Sequence, residues 1–311
     1  MDVRDELVHG CIPLPRVVGP AAASLRQSLA RLTNTPRFPG SSPCSLERAD
    51  FPKLRAQPYW VCEKTDGVRF LLYCTEHDGK TVAALVDRAL AFYLVPLAAV
   101  PTSMFQGSVV DCELARDKRD GSWALLAFDA YVVCGVSLWA QPFSRRMACL
   151  RRALAHYRAS PEDPATLRLK DFFPGTMMAE FRRGEAERSA QWAIDGVVLT
   201  PELSRAVPGR HTELFKLKTK HTVDFLVGDD GRSLAVYDPK RKEHAVVARL
   251  GKDAAPGAVV ECSFNGLTWK MECERRDKGT ANDTLTYTKT LVNMREAIGH
   301  DELQRVLCGA A

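Results

Sequence analysis

The sequence predicts an α+β fold: antiparallel sheets with flanking helices, followed by a small C-terminal β-barrel of the OB type. Three observations predict it. From residue 59 the chain runs in strand-length apolar segments separated by turn residues. After Asp224 the texture changes to five short alternating segments joined by Gly- and Asp-rich turns, the spacing of a five-stranded barrel. Other stretches carry apolar residues at helical spacing. The boundary is expected near residue 222, giving a first domain over 1–222 and a barrel over 223–297. A last helix over about 298–311 is expected to pack back on the first domain.

Residues 11–20 and 34–43, rich in Pro and Gly, read as ordered loops around a short helix with Leu25, Leu29 and Leu32 on one face. Strands are expected over 59–63, 70–74 and 82–86, the last two joined by a His77-Asp78-Gly79 turn, and again over 108–114 and 123–133. Ser144 reads as the N-cap of a helix with Met147, Leu150, Leu154 and Tyr157 at helical spacing. Its arginine-rich outer face is read as solvated. The barrel strands are expected over 225–227, 234–237, 246–250, 258–264 and 267–273, and residues 291–308 read as helix.

The chain has 311 residues, 46% apolar and 26% charged, with a net charge of +5. That composition is ordinary for a globular chain with a sizeable core. The charged start, Met1 to Glu6, lacks the apolar core of a secretory signal. Asp87 and Arg88 interrupt the greasy stretch 83–100, so no membrane span is expected. The ten cysteines show no C-x-x-C pair and no nearby histidine at ligand spacing, which argues against a zinc or redox motif and for thiols in a reducing, intracellular compartment. A mild positive charge permits an anionic partner without demanding one.

Chemistry concentrates in Glu63-Lys64-Thr65-Asp66-Gly67-Val68-Arg69, between two expected strands. A lysine directly after an apolar strand is held rigidly at the mouth of a sheet. Gly67 permits a tight turn, and Arg69 offers planar, bidentate anion recognition. Alone, the segment is also what a charged hairpin turn looks like. Further blocks follow in order: Asp111-Cys112-Glu113, Phe128-Asp129-Ala130, Asp195-Gly196-Val197-Val198, Lys216-Leu217-Lys218 and Arg275-Arg276-Asp277-Lys278.

Six blocks in that order resemble the covalent nucleotidyltransferases, the superfamily of capping enzymes and ATP-dependent ligases. Within it the chain is similar to mRNA capping guanylyltransferases, especially the compact ones of large DNA viruses that infect algae. The flanking segments extend the likeness over nearly the whole chain: Pro39-Gly40, Ser45-Leu46-Glu47-Arg48, Val86-Asp87-Arg88, Leu169-Lys170-Asp171-Phe172, Thr222-Val223-Asp224-Phe225, Trp269-Lys270 and Ala281-Asn282-Asp283. The resemblance implies a nucleotidyltransferase domain with antiparallel sheets and flanking helices, plus a C-terminal OB-fold domain.

It also implies roles. Lys64 would attack the α-phosphorus of GTP, forming a lysyl-N-GMP intermediate. Arg69 and Arg88 would hold the sugar and phosphate end, Phe128 would stack on guanine, and Lys170 would donate to guanine O6. Glu113 and Asp195 would handle Mg2+ or Mn2+ and the phosphates. Lys216 and Lys218, alternating on one strand, would stabilise charge on the transferring phosphoryl group. Arg275, Asp277 and Lys278 would reach the outer phosphates when the barrel closes; Arg276 lies outside the motif. Two departures stand out: Cys112 replaces the usual glycine between the acids, and Ala281 stands where many capping enzymes carry proline. Cys112 fits only if the backbone there is ordinary extended strand.

The expected acceptor is a 5′-diphosphate RNA end, bound weakly through its backbone charge. No triphosphatase block or methyltransferase segment is evident, so a separate RNA triphosphatase and a cap methyltransferase are expected partners. The alternatives are a short ATP-dependent polynucleotide ligase with a lysyl-AMP intermediate, and a non-catalytic RNA-binding or scaffold protein. Lys170 and the flanking segments argue against the first. The presence of Lys64, Glu113 and Lys216 argues against the second.

Overall fold

The structure, a computed structural model, describes residues 1–276 and 278–309. In chain order the first strands are β1 (Val3–Val8), β2 (Ile12–Val17), β3 (Ser41–Ser45), β4 (Tyr59–Thr65), β5 (Val68–His77), β6 (Lys80–Val86) and β7 (Phe92–Leu94). There follow β8 (Ser108–Arg116), β9 (Trp123–Val133), β10 (Val136–Ser137), β11 (Thr166–Leu169), β12 (Phe173–Pro174), β13 (Ile194–Pro201) and β14 (Gly209–Lys218). Two helices pack among them, α1 (Gly19–Thr33) and, after the short α2 (Phe51–Ala56), α3 (Phe143–Ala153).

One sheet runs β1-β2-β7-β6-β5-β8-β9-β10, with β11 parallel to β9; a second runs β12-β4-β13-β14-β3. Central strand β5 is apolar on both faces. Phe70, Leu72 and Cys74 join a core with Val110, Cys112, Leu114 and α3, while Leu71 and Tyr73 join another with Leu25 and Leu29 of α1. Each such fully buried side chain contributes roughly 1.5–3 kcal/mol. The β5–β6 hairpin closes on Asp78 and Gly79, both at positive φ (51° and 71°), as a tight right-twisting hairpin requires.

Several expectations are corrected. Residues 12–17 are a strand, not a loop: Ile12, Leu14 and Val17 are buried, a strand signal masked by Pro13 and Pro15. Ser144 does not cap α3, whose N-cap is Pro142. Instead Glu202 accepts from the Ser144 amide (3.0 Å) and hydroxyl (2.6 Å), and a carboxylate at a helix start does the cap's work. Leu154 and Tyr157 lie past the end of α3. Arg146 is not on a solvated face: it is buried and grips Asp129 with both prongs at 2.7 and 2.8 Å. The tail helix is broken at Ala297, which sits at φ 47°.

The chain divides into two compact units, Met1–Cys44 with Pro52–Lys216 and Gln304–Ala311, and Ser45–Phe51 with Leu217–Leu303. Beyond the short α4 (Met178–Arg183) and α5 (Glu185–Gln191) of the first unit, the second holds β15 (Thr222–Val227), β16 (Ser233–Asp238), β17 (Glu243–Arg249), β18 (Val259–Phe264) and β19 (Trp269–Glu274). Their order is β17-β16-β15-β18-β19, and a parallel bridge from Leu250 to Trp269 joins the two edges. That is the closure of an OB-type barrel. Phe225 and Trp269 meet edge to face inside it, 4.9 Å apart.

Two helices follow, α6 (Thr284–Glu296) and α7 (His300–Leu307). Asn282 accepts from the Asp224 amide at 2.9 Å, and Asp283 caps α6 through the Thr286 amide. The Ser45-Leu46-Glu47-Arg48 block also has a structural part here. Asn293 donates to the Leu46 carbonyl at 2.7 Å, Lys289 reaches Glu47 at 2.8 Å, and Arg48 forks onto Glu302.

Candidate active site

Lys64 stands near the end of β4, and the chain turns through Asp66 and Gly67 into β5. The glycine serves close approach rather than a left-handed turn: a Cβ there would lie 2.4 Å from the Leu114 carbonyl oxygen and 3.0 Å from Glu113 Cγ. Thus the turn after Lys64 lies directly against β8, beside Glu113.

Opposite β4, strand β13 carries one residue too many. Ile194 pairs with Thr65 and Gly196 with Lys64, so Asp195 is surplus to the ladder. A bulge re-aims its extra side chain, and Gly196 accommodates it at φ 150°. The result is a contact: Lys64 Nζ donates to Asp195 Oδ1 at 2.7 Å, both side chains about a fifth exposed. A second bulge sits in β9. Asp111 pairs with Asp129 and Cys112 with Ala127, leaving Phe128 as the extra residue. Its half-buried ring lies 5.5 Å from the Arg69 guanidinium.

Arg69 is more committed than its motif implied. Nε donates to Asp111 at 2.8 Å and Nη2 to Asp111 and to the Ser41 carbonyl, while Phe38 lies 5.4 Å from the guanidinium. Tyr131 also donates to the fully buried Asp111. Two of the three guanidinium nitrogens therefore hold the protein together. A carboxylate inside the apolar run Val109-Val110-Asp111-Cys112 had to be paired, and that was the available signal for Asp111.

Cys112 resolves the departure from the glycine pattern. It is a strand residue of β8, wholly buried, and outside the positive-φ set. Burial pushes its thiol well above the ordinary range, so it is a neutral, apolar filler. Glu113 is therefore placed by a regular ladder, opposite Arg69. Burial raises its carboxyl to about 7, against the opposing pull of Lys170, Lys64 and Arg69. Among the described residues no donor reaches this carboxylate within hydrogen-bond distance.

Lys170 is buried; its ammonium donates to the Glu63 carbonyl (2.6 Å) and the Thr65 hydroxyl (2.8 Å) and forms an ion pair with the Glu63 carboxylate at 3.2 Å. Arg88 is exposed, in a turn fixed by buried Asp87, which accepts from the Ala89 and Ala91 amides, both at 2.9 Å. Lys216 and Lys218 flank buried Leu217 on β14, which the strand period puts on one face.

In the second unit, Arg275 lies 3.3 Å from Asp224 and 3.4 Å from Glu261, and Lys278 pairs with Asp224. Asp277 lies outside the described residues. The first unit thus brings Lys64, Asp195, Glu113, Arg69 and Phe128 together. Glu63, Thr65, Asp111 and Arg188 are the participants that motif reading passed over.

The donor set suits a hard divalent ion. Glu113 is a buried carboxylate within the electrostatic reach of Lys64, and Asp195 is a second carboxylate, in direct contact with the same amine. Magnesium-type ions are typically held by one or two carboxylates plus substrate phosphates rather than by a protein cage. No group of three or more His, Cys, Asp or Glu that could by itself hold a metal ion occurs among the described residues.

The family model for the mRNA capping enzyme catalytic domain matches residues 11–220. The chain belongs to that family. The mRNA-capping enzyme subunit alpha of Neurospora crassa is 24% identical over 360 residues, covering 91% of this chain and 88% of that protein. The protein of the same name from Yarrowia lipolytica is 29% identical over 348 residues, covering 94% and 88%. A mycobacterial DNA ligase D complexed with ATP and MES is similar in structure at TM-score 0.45 and 16% identity, over 77% of this chain and 94% of that one. As a capping-family member the chain is a nucleotidyltransferase of the guanylyltransferase class. No helix among the described residues is long and apolar enough to cross a membrane.

Proposed function

We propose that this guanylyltransferase works through Lys64. The amine nitrogen bonds to the α-phosphorus of GTP, the bond from that phosphorus to the bridging oxygen breaks, and pyrophosphate leaves with the electron pair. A β-phosphate oxygen of a 5′-diphosphate RNA end then displaces the lysine, giving the GpppN cap. The observation that carries this is the 2.7 Å contact from Lys64 to a bulge-aimed Asp195. It holds the amine at a fixed point and gives its proton an acceptor.

Attack needs the neutral amine, so that proton has to leave before the nitrogen can bond to phosphorus. Phe128 offers a base an aromatic face, and Arg69 and Arg88 flank the sugar end. Lys216 and Lys218 present two cations on one strand face, where charge on the transferring phosphoryl group calls for them. Arg275 and Lys278, with Asp277, serve the outer phosphates. Glu113 and Asp195 would hold Mg2+ or Mn2+, which when bound supplies charge neutralisation on the phosphates. A separate RNA triphosphatase supplies the diphosphate end and a methyltransferase completes the cap.

The test is covalent labelling. Protein incubated with α-labelled GTP and either metal is expected to carry label, released by pyrophosphate and transferred to diphosphate-ended RNA but not to triphosphate-ended RNA. Lys64→Ala is expected to carry none. Label from ATP and not GTP makes the chain a ligase; label persisting on Lys64→Ala places the nucleophile elsewhere.

A further inference from the structure

The turn that carries Arg88 is held in a conformation its own residues do not favour. It is closed by the Asp87 amide, which donates to the Ala91 carbonyl at 3.1 Å, and by the Leu90 amide, which donates to the Asp87 carbonyl at 3.0 Å. Leu90 sits at φ 59°, a left-handed conformation that a bulky side chain rarely takes. Strain of this kind persists where surrounding groups over-determine it, and it gathers at functional sites. Two elements outside the turn supply the constraint. Arg26 of α1 donates to the Leu90 carbonyl at 3.1 Å. From the β1–β2 hairpin, His9 Nε2 lies 3.2 Å from Asp87 Oδ2, which also takes the Tyr93 hydroxyl at 3.3 Å.

His9 is itself strained. It is the first central residue of the turn between β1 and β2, at φ 48°, with Gly10 following at φ 73° and the Cys11 amide donating back to the Val8 carbonyl at 2.8 Å. Turns with both central residues at positive φ are served best by Asn-Gly, Asp-Gly or Gly-Gly. Histidine costs more there but reaches further than asparagine. Its ring stands edge-on to Phe70 and Tyr93, at centroid distances of 5.6 and 6.5 Å, and Val8 beside it is fully buried in the core. A strained side chain at one turn is thus anchored against the carboxylate that shapes a second strained turn. Arg88, within that second turn, is left exposed.

We propose that His9 is a positioning residue for the nucleotide: acting through Asp87, it presets the turn that offers Arg88 to the sugar and phosphate end of GTP. The β1–β2 hairpin is thereby a working part of the site. This rests on the reading of Arg88 as a nucleotide contact. Loosening a pre-set contact is felt in binding rather than in the attack by Lys64, so it moves the GTP concentration for half-saturation and leaves the saturated rate.

His9→Asn separates function from stability. Asparagine suits the turn better than histidine but is too short to reach Asp87, and the relief of the backbone offsets the lost ring contacts. The urea midpoint of the full chain is expected to stay close to wild type. The GTP concentration for half-maximal lysyl-GMP formation should rise about three- to tenfold, with the saturated single-turnover rate within about twofold of wild type. His9→Gln, whose amide nitrogen reaches as far as the ring nitrogen, should restore most of the affinity. In an Arg88→Ala background, His9→Asn should add less than about twofold, because both changes remove the same contact.

Wild-type half-saturation in His9→Asn would overturn the proposal. So would a rise that glutamine does not reverse and that follows a lowered urea midpoint, which makes His9 a structural residue only. A full additional loss on top of Arg88→Ala would show that His9 acts elsewhere. Unchanged half-saturation in Arg88→Ala removes Arg88 from the nucleotide and this inference with it, while labelling of Lys64 continues. Wild-type protein that takes no label from GTP overturns the nucleophile reading and everything built on it.

Discussion

Glu113→Gln replaces a buried carboxyl with a neutral side chain of the same shape, and its effect on stability should depend on pH in a way that reports the site directly. Burial raises the Glu113 carboxyl from 4.5 to about 7. The folded protein therefore keeps this proton over a range where the unfolded chain has released it. Below about pH 4.5 neither state is ionised and the carboxyl costs nothing. As pH rises towards 7 the wild type loses stability relative to the variant, by about 1.4 kcal/mol per unit of pKa difference. Above pH 7 the difference is constant.

The full difference is about 3 kcal/mol as an upper bound. Solvent reaches part of the carboxylate, which reduces it to about 1–2 kcal/mol. The assay is urea unfolding of both proteins at pH 5 and pH 8, with reductant and without divalent metal. Glu113→Gln should gain about 1–2 kcal/mol on wild type between the two pH values, and millimolar Mg2+ should return most of that to wild type alone. Parallel pH curves for the two proteins would refute the claim that Glu113 is a penalised, cation-seeking carboxylate.

Further expectations follow from single contacts. Gly67→Ala places a methyl 2.4 Å from the Leu114 carbonyl, so the turn must shift and GTP labelling should fall about a hundredfold; unchanged labelling would show the turn is not fixed by β8. Cys112→Gly restores the family's glycine yet empties a fully buried strand position, so it should cost about 1–3 kcal/mol in chemical unfolding with no gain in labelling rate. Asp111→Asn strands the Arg69 guanidinium in the core and should cost about 3–5 kcal/mol, read as a lowered urea midpoint.

Much of the site was legible because its chemistry is written in short segments. Lys64, Glu113 and Asp195 were found by residue type and order, and the β4, β5, β6, β8 and β9 strands by alternation and apolar runs. What was not legible has physical reasons. Register is a property of a pair of strands, so neither bulge can be read from one strand's residues, yet the bulges decide where Asp195 and Phe128 point. Burial inverts the reading of a cation: Arg146 looks like a surface arginine, but the Asp129 carboxylate draws it inward. Pro13 and Pro15 disguised β2. The capping carboxylate for α3 comes from Glu202, 58 residues away, and residues 45–51 cluster with a unit that otherwise begins at Leu217; such long-range partners leave no local trace.

Asp195 and Phe128 each sit at a bulge as a surplus residue of their strand, and this gives the site an uneven stiffness. A side chain carried on a surplus residue can swing when a phosphate or a base arrives without breaking any rung between strands. Its neighbours keep their rungs to the facing strand. Under the proposed function, the acid beside the amine and the platform for the base are thus the two side chains of the site that no rung between strands constrains.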